Sequence, residues 1–101
     1  MTQLIVFGGS AKEVKVFLDM VEEITQSGEK VVLLLIHGAC ELAMDRAFCE
    51  KVWRHGAHLY VLGEDLNLQE LPHRVVDGVV IADYDTWVRL LESCEKVFSW
   101  T

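Results

Sequence analysis

The chain has 101 residues, 51% of them hydrophobic and 25% charged, which suits one folded domain over residues 1–101 with a single core. Nine Lys and Arg against sixteen Asp and Glu give a formal charge of −7, which disfavours a phosphate-binding surface and with it direct nucleic-acid binding. A lone proline, Pro72, and the high apolar share argue against a disordered or Pro-rich chain, and the longest apolar run, Val31 to Ile36, falls far short of the roughly 20 residues of a membrane span.

Leu4 to Phe7 is an apolar, largely β-branched or aromatic run closed by Gly8-Gly9-Ser10, a buried strand entering a turn, with Ser10 placed to cap a helix. From Ala11 to Gln26 the residues Val14, Phe17, Leu18, Val21 and Ile24 follow helical spacing, and Gly28 stops the helix. Lys30 to Ile36 is continuously apolar after its lysine, as expected of a strand covered on both faces at the centre of a parallel sheet. After His37-Gly38, the residues Leu42, Ala43, Ala47, Val52 and Trp53 form an apolar stripe that predicts one helix ending at Gly56. His58 to Leu62 reads as a third strand. Gly63 to His73 reads as polar and irregular, with a helical turn near Leu66 to Leu71 and Pro72 as a breaker. Gly78 to Ala82, Thr86 to Ser93 and Lys96 to Trp100 then predict a strand, a short helix and a last strand.

Strands alternating with helices at this spacing call for right-handed crossovers. The expected class is α/β, a three-layer α/β/α arrangement around a mainly parallel five-stranded sheet. Ligands of such sheets bind at the carboxyl ends of the strands. There the first strand delivers Gly8, Gly9 and Ser10, whose N–H groups are candidates for binding an anion, although neither the G-x-G-x-x-G spacing nor a P-loop lysine is present. A plain tight turn is the rival reading. The second strand delivers His37, a candidate ligand or base, and Cys40, near a predicted helix N-terminus that favours a thiolate. Glu41, Glu64-Asp65 and Asp83-Tyr84-Asp85 act in the opposite sense if they face the thiol.

Cys49 lies nine residues after Cys40, on the opposite side of a single continuous helix, so the two are not expected to form a dithiol; Cys49 and Cys94 read as small packing residues. Three cysteines without a C-x-x-C pair, and an amino terminus without a secretory pattern, fit reduced thiols in a cytoplasmic protein. The four histidines lack zinc-ligand spacing, so neither metal nor cofactor is expected. Trp87 and Trp100 require burial, and Trp100 beside the chain end points to a docked terminus or an oligomer interface.

Leu59-Tyr60-Val61-Leu62-Gly63-Glu64-Asp65-Leu66, then Val80-Ile81-Ala82-Asp83-Tyr84, Trp87-Val88-Arg89-Leu90 and the closing Val97-Phe98-Ser99-Trp100 resemble, in that order, the TusB/DsrH family of sulfur-relay subunits. Leu33-Leu34-Leu35-Ile36-His37-Gly38 is similar to that family's apolar strand, with His37 where the family more often carries Asp. The resemblance implies a DsrE-like fold and association with paralogous DsrE/DsrF-like (TusD/TusC-like) subunits. The assemblies pass persulfide sulfur toward tRNA 2-thiouridine or within dissimilatory sulfur metabolism. It also implies that the relay cysteine belongs to a partner, after its third strand; here that neighbourhood is Leu62 and Gly63, without a thiol. The implied role is an accessory, non-catalytic subunit. The alternatives are a stand-alone persulfide carrier using Cys40 and a self-associating scaffold or ligand-binding protein.

Overall fold

The computed structural model describes residues 2–9, 13–68 and 74–100. Five strands, β1 (Thr2–Phe7), β2 (Lys30–Leu35), β3 (His58–Leu62), β4 (Val80–Ala82) and β5 (Lys96–Trp100), form one sheet in the order β4-β3-β2-β1-β5. Every pairing is parallel. Ile5 lies opposite Leu33, and Leu33 opposite Leu59, so one layer of apolar side chains runs across three strands. The apolar run of β2 occupies the centre of the sheet, where it has a neighbouring strand on each side and is covered on both faces.

The helices are α1 (Val14–Gln26), α2 (Arg46–Arg54), α3 (Gly63–Leu68) and α4 (Tyr84–Ser93), with a 3-10 helix, His37–Met44, before α2. From β1 to β4 the chain steps in one direction across the sheet, so right-handed crossovers put α1, α2 and α3 on one face. The return from β4 to β5 reverses direction and puts α4 on the other. The first face is the larger core: Ile5, Phe7, Val31, Leu33, Leu35, Leu59 and Val61 of the sheet meet Phe17 and Val21 of α1, Phe48 and Val52 of α2, and Leu66 of α3. Phe7 and Phe17 pack ring to ring, centroids 4.2 Å apart. On the second face Leu4, Val6, Val32, Leu34, Ile36, Leu62 and Ala82 meet Trp87 and Leu90 of α4, with Cys94 just beyond it.

Four expectations change. The predicted continuous helix after Gly38 is broken at Asp45, whose extended backbone (ψ 102°) ends the 3-10 helix and whose carboxylate accepts the Phe48 N–H at 3.2 Å to cap α2. Cys40 and Cys49 therefore sit on two separate elements, and the argument from their angle around one helix does not apply. The segment after β3, expected to be irregular with a helical turn near Leu66 to Leu71, becomes helical at once, α3 starting at Gly63, with Leu66 drawn fully into the larger core. The last helix starts at Tyr84 rather than Thr86, since Asp83 caps it by accepting the Thr86 N–H at 2.8 Å. The first begins at Val14 without a side-chain cap. The expected Ser10 cap lies outside the described residues.

Candidate functional site at the carboxyl edge of the sheet

At the end of β2 the Ile36 N–H donates to the Phe7 carbonyl at 2.9 Å, holding the strand in the sheet up to its last residue. His37 then turns the chain with φ +50°, the single positive φ at a non-glycine among the described residues. Backbone strain of this kind persists where surroundings over-determine it. The determinant is Asp65 on the first turn of α3, whose Oδ2 accepts the His37 backbone N–H at 2.8 Å. The same oxygen lies 3.8 Å from the imidazole Nδ1; the His37 side chain is 69% exposed, that of Asp65 only 12%. A buried carboxylate thus sits behind an exposed imidazole, joining the ends of β2 and β3.

Cys40 lies beneath this pair and is fully buried, its thiol donating to the Leu35 carbonyl at 3.6 Å. Burial, and then the Asp65 charge, push that thiol up to about 12. The competing electrostatic influences read from the sequence are therefore resolved toward a protonated thiol. Cys49 is also buried, its thiol near the Leu42 carbonyl at 3.6 Å and pushed up to about 11, first by burial and then by Asp45. Cys94 is half-buried against the α4 face.

The ends of β3 and β4 flank a shallow cleft of about 220 Å³ lined by Gly63, Glu64, Asn67, Ile81, Asp83 and Thr86. The bonds from Thr86 hold the Asp83 carboxyl below the usual carboxylate range, whereas Glu64 on α3 pushes the Tyr84 phenol up. A β-carbon added at Gly63 would lie 3.0 Å from Ile81 Cγ2 and 3.3 Å from the Ala82 carbonyl oxygen. A side chain at Gly63, just past the tip of β3, would therefore need Ile81 and the Ala82 carbonyl to give by a few tenths of an ångström.

At the end of β1, a β-carbon on Gly9 would lie 3.1 Å from Glu13 Oε2. A carboxylate borders the turn formed by Gly8 and Gly9, an unfavourable setting for an anion. Ser10, the third residue of that candidate, lies outside the described residues. Trp87 is half-buried in the second core and stacks on Tyr84, ring centroids 6.0 Å apart. The backbone of Trp100 pairs with Phe7 in β5. Among the described residues no group of three or more His, Cys, Asp or Glu could hold a metal ion, and no helix is long and apolar enough to cross a membrane.

Two features escape the sequence reading. Asp65 is one. The other is a second apolar stripe on α4: while Trp87 and Leu90 face the sheet, Tyr84, Val88 and Leu91 recur at i, i+4 and i+7 on the solvent side, each 41–50% exposed. Their periodicity was available in the sequence. Val80 and Val97, on the two edge strands, are similarly exposed, and their registers with Tyr60 and Leu4 put both on the α4 face.

The family model for DsrH-like proteins matches residues 11–97. The chain belongs to the DsrH-like family. That membership implies a sulfur-relay subunit. No curated protein matches the chain. Among solved structures, the crystal structure of the ychN protein from E. coli is similar at a TM-score of 0.76 and 14% identity, with 99% of each chain covered. A conserved protein of unknown function from Bacteroides thetaiotaomicron, BT1422, is similar at a TM-score of 0.74 and 10% identity, with 97% of this chain and 93% of that one covered. At these identities the likeness concerns the fold, a YchN/DsrE-like parallel sheet. In this DsrH-like chain the carboxyl edge thus carries an imidazole–carboxylate pair, a crowded glycine after β3 and the buried Cys40 thiol.

Proposed function

We propose that this DsrH-like chain is an accessory subunit of a cytoplasmic persulfide-relay complex, with the sulfur carried by a cysteine of a paralogous DsrE/DsrF-like subunit. The observation that carries this reading is the tip of β3, where the resemblance places the partners' relay cysteine. Leu62 and Gly63 stand there without a thiol, and a side chain in place of Gly63 would press on Ile81 and the Ala82 carbonyl. The burial of Cys40 weighs against that thiol as a substitute carrier, because sulfur transfer requires an accessible thiolate.

The exposed stripe of α4 and the apolar edges beside it supply a surface for the partner subunits. A sheet face covered by one helix leaves apolar area at both edges, and a neighbouring subunit completes the layer. The formal charge of −7 weighs against direct tRNA contact by this subunit. The pathway served is either wobble thiolation of tRNA or dissimilatory sulfur metabolism.

Untagged co-expression with DsrE/DsrF-like subunits tests the reading. The chain is expected to co-purify with a DsrE-like partner, and intact mass after exposure to a persulfide donor is expected to show added sulfur on the partner and none here. A chain that stays alone, or assembles only with itself, refutes the heteromeric reading. Sulfur added here and lost in Cys40→Ala establishes the carrier alternative instead.

A further inference from the structure

β5 stands beyond β1 at the end of the sheet, and among the described residues no strand pairs with its outer side. An unpaired edge presents a row of N–H and C=O groups that another extended chain satisfies, and proteins guard it with brevity, charge or proline. β4, at the opposite edge, is guarded by its length of three residues. β5 has five, and after Lys96 the run Val97-Phe98-Ser99-Trp100 holds neither charge nor proline. Val97 and Phe98 are both half exposed although they point to opposite faces of the sheet, so neither face of this strand is fully covered.

Phe98 pairs with Ile5, which puts it on the face that carries α1. Val14 and Leu18 of α1 line a groove toward Lys51 and His55 at the end of α2. Val16 lies about 160° around the helix from each of them, on the flank turned away from α2. Because α2 packs over β3, that flank looks toward β1 and β5. Val16 is 60% exposed. The free edge therefore has an apolar margin, Phe98 on the strand and Val16 on the helix beside it.

We propose that a second copy of this chain adds its own β5 to this edge, antiparallel and about a two-fold axis, so that one sheet runs through both copies. Full overlap of the two strands puts Phe98 opposite Phe98, Val97 opposite Ser99 and Lys96 opposite position 100. No residue then faces a like charge, and the paired stretch holds no acid. In a chain of formal charge −7 this selects the place of contact: α1 carries Asp19, Glu22 and Glu23, α2 Glu50, and α4 Asp85 and Glu92, whereas the only charge on β5 is Lys96. Two copies repel each other least where their acids are absent. The axis stands perpendicular to the sheet, so the α1 faces of the two copies adjoin, and the two Val16 flanks border the central Phe98 pair. α4, on the other face, stays open to other subunits. The contact is independent of the relay reading and compatible with it.

Light scattering and sedimentation of the purified full chain test the proposal. A concentration-dependent dimer is expected, and Phe98→Lys, which sets two ammonium groups opposite each other at the axis, is expected to raise its dissociation constant about tenfold or more. Circular dichroism and thermal unfolding verify that the variant is folded. A second probe uses Phe98→Cys and Val80→Cys, each made with Cys94→Ser. Under mild oxidation the residue at the axis is expected to link two copies by a disulfide, and the one on the opposite edge is not. A chain that is monomeric at every concentration, a dimer unaffected by Phe98→Lys, or linkage through position 80 in preference to 98 overturns the proposal. A monomeric chain that still co-purifies with a DsrE-like subunit overturns it while leaving the relay reading in place.

Discussion

The thiol of Cys40 donates to the carbonyl of Leu35 at 3.6 Å, across the junction where β2 gives way to the 3-10 helix. With Cys49 similarly enclosed, the folded chain presents Cys94 alone as a partly exposed thiol. Iodoacetamide at mildly alkaline pH is therefore expected to modify Cys94 in the native protein and to reach Cys40 and Cys49 only after denaturant is added. Peptide mass mapping checks this, and rapid native labelling of Cys40 would contradict the packing around it.

Alkaline stability follows from the same two thiols. In the unfolded chain they ionise near the ordinary value of 9.0, whereas in the fold they hold their protons up to about 12 at Cys40 and about 11 at Cys49. Above pH 9.0 the unfolded state binds fewer protons than the native one, so stability is intact below that value and falls as pH rises toward the folded values. Each thiol removes at most about 1.4 kcal/mol per pH unit. Unfolding free energies from urea titrations at about pH 7.5 and about pH 10 should differ by about 3 kcal/mol less in the Cys40→Ala/Cys49→Ala double variant than in the wild type.

Gly78 holds φ +103° with Trp53 ring atoms 3.1 Å from where a β-carbon would stand, whereas Gly28 holds φ +90° with open space beside it. Gly28→Ala is expected to cost about 1 kcal/mol from backbone strain alone. Gly78→Ala is expected to cost about 2 kcal/mol or more, because the Trp53 ring must also move. Thermal unfolding of the two variants, with Trp fluorescence changing only for Gly78→Ala, separates the two contributions.

The break between the 3-10 helix and α2 rests on the Asp45 cap. Asp45→Ala should lose about 1 kcal/mol, and Asp45→Asn, which still accepts the Phe48 N–H, a small part of that. Denaturant titration gives both values.

The outer stripe of α4 separates folding from assembly. Val88→Lys and Leu91→Lys replace exposed side chains, so the isolated chain should keep its stability to within about 0.5 kcal/mol. The complex with partner subunits should be lost or weakened, as read by size-exclusion chromatography with light scattering. A variant that folds and still assembles at the wild-type concentration dependence moves the interface elsewhere.

The alternation of apolar runs with helical stripes was enough to determine the α/β class, five strands in the right places and β2 at the centre, because burial on both faces demands an unbroken apolar run and burial on one face a periodic one. Leu59 to Leu66 and the segments after it likewise carried the family, since that likeness lies in residue order. Tertiary structure alone decided what the residues at the carboxyl edge do. The sequence puts Cys40 three positions from His37 but contains no statement of depth. One was drawn under the 3-10 helix and the other left outside it. Asp65, 28 residues beyond His37, comes behind that histidine because parallel pairing aligns the ends of β2 and β3. Likewise, Gly63 is crowded because Ile81 and Ala82 of β4 pack alongside it. Such contacts arise between strands that are neighbours in the sheet and distant along the chain, so only the folded arrangement could reveal them.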